Sequence, residues 1–415
     1  MSRQSKEKIK NVLILLLTVS AVVLSFFAGI FDAPMRAQAG SGGTLLVSEN
    51  DQPKNLLLPT QITVNFGMEE GLVSGSGTTN ADTAGLFEES LHLLRAALQS
   101  ARQAEEIDAQ TWRDTLGSWG ILFRFSANLS LSELALMMGQ AESPLMGKSE
   151  TLHLSLKEAG VFLYFLGTDG QVFRAMTGIP SYQLGELIAQ YEPSRSRISF
   201  DLSGNAPQVA LGNYNHFPVV SGQTAHMYQH LERLLSRFDF HPNLVRYMES
   251  DGVRTMVENG ATLRIFEDGL ITYLYRGQNP RLMVSMEHEP NLAEIVRGAY
   301  ALASLVGIVS GEAEISFRGY AYQNGQFVIE FGYTLDGIPI LDAYPAARIV
   351  VDGRYVREVS LFARSFHFSG EHTAILPRSS AQIAAGTEQI DLFYVLQAET
   401  EQYLPRWILI EESGE

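Results

Sequence analysis

Short apolar segments that alternate with polar residues recur along this chain, and Asn-Gly or Asp-Gly pairs separate many of them. Asp169-Gly170, Asn259-Gly260, Asp268-Gly269 and Asp336-Gly337 each stand between two such segments. An Asn or Asp followed by Gly tolerates positive φ at both central positions of a two-residue turn. That is the geometry that returns a twisted strand antiparallel to itself. The pattern therefore predicts β-meanders. Longer stretches with apolar residues at helical spacing lie between them, at 85–107, 224–238 and 291–309. The expected fold class is α+β, with helices packed on one face of antiparallel sheets.

The beginning of the chain sets a different constraint. Residues 11–31 carry no charge, and 12–30 are apolar apart from Thr18, Ser20, Ser25 and Gly29. About 20 helical residues span a hydrocarbon core, whereas the apolar part of a signal peptide has about 7–15. Arg3, Lys6, Lys8 and Lys10 precede the run, so the N-terminus is expected on the cytoplasmic side and the remainder outside. Ala37-Gln38-Ala39 fits a small-x-small cleavage pattern. Length favours a retained single-pass anchor in the cytoplasmic membrane. Ser20, Ala21, Ser25, Ala28 and Gly29 are small and lie roughly along one face, where a neighbouring membrane helix could approach closely.

The 415 residues carry a net charge of −16, and without the +3 of the first ten residues the rest stands at −19. So acidic a surface disfavours nucleic acid and bare anionic lipid as partners. Hydrophobic residues make up 46% and charged residues 18%, which is the composition of a packed core. There is no cysteine. Disulfides, thiolate catalysis and Cys-ligated metals are excluded, and stability rests on burial. An exported chain without cysteine fits a Gram-positive surface.

The expected organisation is a cytoplasmic tail (1–10), a transmembrane anchor (11–31), a spacer (32–58) and three α+β domains: 59–196, 197–288 and 289–415. The last two share an outline of one helix followed by a meander. Within the first, 71–85 (GLVSGSGTTNADTAG) reads as a long loop. A helix is expected over 85–107, and another opened by Ser130 or Ser132 as N-cap.

Few residues suggest chemistry. His226 and His230 in HMYQH would lie one turn apart on a long helix. The residue after His226 is Met227, not the Glu that a metalloprotease helix uses as general base. VSGSGTT (73–79) lacks the Gly-Lys-Ser/Thr of a phosphate loop. No catalytic residue, cofactor or metal site is assigned. GYTLDGIPI (332–340) stands out instead. An apolar strand reaches a tight turn at Asp336-Gly337 and resumes with Pro339. Asp336, Gly337, Ile338 and Pro339 are the candidate contact of this hairpin.

The order of several such elements resembles the YycH (WalH) family. Those elements are the anchor KNVLILLLTVSAVVLS, DAQTWRDTLGSWGILFRFSANLSLSELALMMG, FDFHPNLVRYMESDGVRTMVENGATLRIFEDGLITYL, then DGIPI and FYVLQAETEQYLPRWILIEE with Pro405 and Trp407. The resemblance implies three extracytoplasmic domains on one transmembrane helix. It also implies a non-enzymatic role in regulating a WalK-type sensor histidine kinase, together with a YycI-like protein, in cell-wall control. The readings from other classes are a surface metal-dependent peptidase using His226 and His230, or a ligand-binding module of the envelope.

Overall fold

The computed structural model describes residues 44–45, 56–57, 59–69, 72–78, 80–167, 170–191, 199–201, 208–210, 216–278, 280–376, 378–386, 390–397 and 400–409. The predicted anchor at 11–31, with Ser20, Ala21, Ser25, Ala28 and Gly29, lies outside them, as does most of the spacer. Among the described residues no helix is long and apolar enough to cross a membrane. Residues Leu45–Glu415 form one compact unit. It is α+β, with two large sheets that are mostly antiparallel.

The first sheet contains β1 (Gln61–Glu69), β2 (Leu72–Thr78), β3 (Arg102–Ile107), β4 (Trp119–Ser130), β5 (Lys148–Lys157), β6 (Gly160–Leu166) and β7 (Val172–Met176). Their spatial order is β2-β1-β4-β5-β6-β7-β3. Two sequence expectations are corrected here. The Gly/Ser-rich stretch read as a loop is the edge strand β2, paired with β1 from Ile62↔Thr78 to Glu69↔Leu72. Small residues suit an edge position, because backbone hydrogen bonds on one side suffice to hold it. The helix expected over 85–107 is α1, Asn80–Ser100, and the acidic end that follows it is β3, paired with β7. Local helix propensity in ARQAEEI gives way to a vacant sheet edge.

Helix α2 (Ala109–Leu116) is capped by Asp108, whose carboxylate accepts from the Thr111 N–H. Helix α3 (Leu131–Met137) starts at Ser130 in a reciprocal box with Glu133. Helix α4 spans Ser181–Ala189. The apolar face of the sheet, with Ile62, Ile121, Phe123, Leu152, Leu154 and Leu163, packs under α1 and α4. The opposite face holds a smaller cluster of Leu122, Tyr164 and Val172 under Trp112 and Leu116 of α2.

After a small pair, β8 (Ser199–Asp201) with β9 (Gln208–Ala210), the second sheet begins. Its strands are β10 (His216–Thr224), β11 (Arg246–Ser250), β12 (Val253–Glu258), β13 (Ala261–Phe266), β14 (Leu270–Tyr275), β15 (Leu282–Met283), β16 (Glu314–Gln323), β17 (Gln326–Leu335), β18 (Ile338–Leu341), β19 (Ala347–Asp352), β20 (Tyr355–Phe362), β21 (Arg364–Ala374), β22 (Ile390–Gln397) and β23 (Gln402–Leu409). The main path runs β11-β12-β13-β14-β20-β19-β17-β18-β22-β23-β10-β21, with β16 beside β17 and β15 beside β20. Residues on both sides of position 288 thus share one sheet, through β14 and β20.

Helix α5 (Leu231–Arg237) is shorter than predicted, because the residues before it, Met227–His230, form a 3-10 turn. Helix α6 (Leu292–Gly307) begins at Asn291, whose side chain accepts from the Glu294 N–H. It lies on β16, β17, β19 and β20 and buries Val296, Ala299, Leu302 and Val306 against Ile329, Phe331 and Ile349. Helix α7 spans Arg378–Ala385.

Candidate functional site

The Asp336–Pro339 hairpin forms where the sequence places it. Asp336 (φ 48) and Gly337 (φ 70) both adopt left-handed backbone. That is the signature of a type I′ turn, which only Gly, Asn and Asp reach cheaply. Leu335 pairs with Ile338 and Thr334 with Pro339. The short returning strand β18 then does something the local pattern does not contain. Its outer edge pairs in parallel with β22, Ile340↔Tyr394 and Leu341↔Val395. DGIPI is therefore the seam that joins the meander to the C-terminal strands.

Immediately after β18 the chain enters a buried polar network. The Arg364 Nε donates to Asp342 Oδ2 at 3.2 Å, Nη1 to the Thr224 hydroxyl at 3.0 Å and Nη2 to the Tyr403 hydroxyl at 2.9 Å. Tyr403 in turn donates to Asp342. The two charged side chains are 13% and 4% exposed, so this ion pair is removed from water. Tyr333 donates to the Phe362 carbonyl at 2.6 Å and accepts from the Arg364 N–H at 3.3 Å. Burial lowers the pKa of the Arg364 guanidinium, but its bonds to Tyr403 and Asp342 outweigh that and leave it above its ordinary value. Burial raises the Tyr403 phenol, and the bond to Asp342 raises it further. Residues from β10, β21, β23 and the end of β18 meet here. Each guanidinium nitrogen is engaged, so the network staples these strands together.

Behind the turn, the Tyr394 hydroxyl is buried without a hydrogen-bond partner. Burial and the Asp336 carboxylate both push it up. Asp336 itself is raised, first by burial and then by Glu312. The hairpin thus places a partly desolvated carboxylate at the tip of an ordered turn.

Sequence reasoning missed Asp342, Arg364, Tyr403 and Thr224. One signal was present: Arg364 is a lone cation in the apolar run SLFARSF. Its partners lie 22, 39 and 140 residues away, a separation that no local pattern reveals. His226 and His230 bound a 3-10 turn instead of lying one α-helical turn apart. His226 itself is extended (φ −84, ψ 105), so the two rings are not set by helical spacing. Among the described residues no group of three or more His, Cys, Asp or Glu could hold a metal ion. Comparison with protein families, with characterised proteins and with solved structures finds no match to this chain.

Proposed function

We propose that the chain is a membrane-anchored, extracytoplasmic regulator of a sensor histidine kinase of the WalK type, acting without catalysis and together with a YycI-like partner. The observation that carries this reading is the uncharged, basic-flanked run at 11–31 ahead of a folded acidic unit. A chain so built reaches a kinase through its membrane helix and its outer face. It biases the kinase only if its contacts differ between two kinase states. The Asp336-Gly337 turn supplies an ordered, solvent-facing tip, and the pairing of β18 with β17 and β22 holds it in one position.

The test is a membrane pull-down of the tagged full chain beside a version lacking 1–31 and given a cleavable export signal. A histidine kinase and a YycI-like protein retained by the first and lost from the second is the expected result. Retention of neither by the full chain overturns the reading. In that case zinc content and peptide hydrolysis, compared between the full chain and a His226→Ala/His230→Ala variant, address the peptidase alternative directly.

A further inference from the structure

Strand β21 is the last on the main path of the second sheet. Ser365 and His367 stand two apart on it and so share one face. The Ser365 hydroxyl lies 2.9 Å from the His367 Nε2. On the other side of the ring, Nδ1 lies 3.9 Å from Glu312 Oε2. The three side chains follow the order hydroxyl, imidazole, carboxylate. In that order a base activates a nucleophile and an acid orients the base.

The backbone sets this arrangement. Residues 310–312 run beside β21, where the Phe366 N–H donates to the Ser310 carbonyl and the Glu312 N–H to the Phe366 carbonyl, each at 2.9 Å. The Phe368 N–H donates to Glu312 Oε2 at 2.8 Å, which fixes the carboxylate oxygen that faces the ring. Gly311 (φ 71) carries no side chain where the imidazole rests. An added Cβ there would come within 2.7 Å of the His367 Cε1 and 2.9 Å of Nε2. The carboxylate assigns the ring proton to Nδ1 and leaves Nε2 to accept from the Ser365 hydroxyl. The Nδ1 to Oε2 separation is longer than a hydrogen bond, and such contacts commonly tighten once a reactant binds. The His367 and Glu312 side chains are 55% and 51% exposed, so the group is open to solvent.

We propose that Ser365 is a nucleophile activated by His367, with Glu312 as the positioning residue, and that it takes an acyl group from an activated ester. The Ser365 proton passes to the His367 Nε2 as Oγ attacks the ester carbonyl carbon. The bond from that carbon to the leaving alcohol breaks, and the alcohol takes the proton from Nε2. Water then hydrolyses the new ester on Oγ by the same route, releasing the acid and restoring the hydroxyl. The substrate class follows from what the site lacks. The next backbone N–H, of Phe366, is spent on the Ser310 carbonyl and does not serve a developing oxyanion. Base assistance contributes about 10²–10⁴-fold, which suits an ester with a good leaving group and not an amide. The kinase-regulator reading needs no catalysis and does not depend on this site, so the two are tested separately.

The experiment exposes the purified full chain to p-nitrophenyl acetate, follows release of p-nitrophenol and maps the acetyl group by mass spectrometry of peptides. The acetyl group is expected on Ser365 ahead of the surface lysines. Ser365→Ala should leave that peptide unmodified. His367→Gln should slow acetylation of Ser365 by about a hundredfold or more, and Glu312→Gln should lower kcat while leaving KM unchanged. Unchanged unfolding temperatures show that these variants fold. Acetylation of Ser365 at the native rate in His367→Gln overturns the proposal. So does a native chain whose lysines are acetylated while Ser365 is not, a result that requires no variant.

Discussion

His153 is a titratable base held in the interior of the first sheet. It is 1% exposed, and its ring lies 5.8 Å from Trp112 and 6.1 Å from Tyr164. Its Nδ1 has no hydrogen-bond partner. Burial, and then the charge of Lys157, lower its pKa from 6.5 to about 3. The folded value is thus below the unfolded one, and the unfolded chain takes up the proton first. The stability that His153 contributes is complete above pH 6.5 and is lost as pH falls from there toward 3, by about 1.4 kcal/mol per pH unit. His153→Leu should remove that component of the acid dependence. Denaturant titrations between pH 7 and 4 check it, and parallel curves for the two proteins would refute it. At the other polar centre, Asp342→Ala leaves Arg364 buried without its carboxylate. A loss of about 3–5 kcal/mol is expected, measured by chemical unfolding. Arg364→Met in the same background should recover part of it.

Close approach of elements decides the outcome of a substitution that propensity alone would misjudge. Gly298 lies inside α6, where Ala is the better helix former by about 1 kcal/mol. Yet an added Cβ there would come within 2.4 Å of both the Val284 carbonyl oxygen and the Val284 Cβ. The backbone on the far side cannot move aside as a flexible side chain can. The helix must lift from the strand region, and overpacking of that kind costs about 1–3 kcal/mol. Gly298→Ala should therefore lower the unfolding temperature. A rise would mean that α6 is seated less closely than described. The chain tightens into a 3-10 turn at Met227–His230 that buries Met227 and leaves His226 extended ahead of it.

The two sheets of the Leu45–Glu415 unit are joined by specific bonds as well as by packing. Tyr320 of β16 donates to Glu133 Oε1 at 2.6 Å, while Oε2 of the same residue accepts from the Ser130 N–H that opens α3. Ser126 of β4 donates to the Phe317 carbonyl. Burial and then the bond to Glu133 raise the Tyr320 phenol. A hydrogen bond to a charged group is worth about 1.5–3 kcal/mol. Tyr320→Phe and Glu133→Gln should each destabilise, and a double-mutant cycle should show clear coupling. Additive effects would mean that the bond does not connect the sheets energetically.

The sequence determined the local pieces of this molecule. Alternation and Asn-Gly or Asp-Gly turns specify β12 to β14 and β16 to β20, because a hairpin's register follows from its turn and from which face is apolar. Ser130 and Asn291 open their helices because a short polar side chain meets unpaired N–H groups there. Composition excluded thiol chemistry outright. What only the tertiary structure decided is which distant edges meet. The Gly/Ser stretch of β2 and the acidic β3 carry no strong strand signal, and each becomes a strand because a neighbouring edge offers backbone partners. The parallel seam of β18 with β22 and the Arg364 network depend on residues tens to hundreds of positions apart. Side-chain periodicity reports the nearest few residues and the face they share. A buried charge reports whatever the fold places beside it.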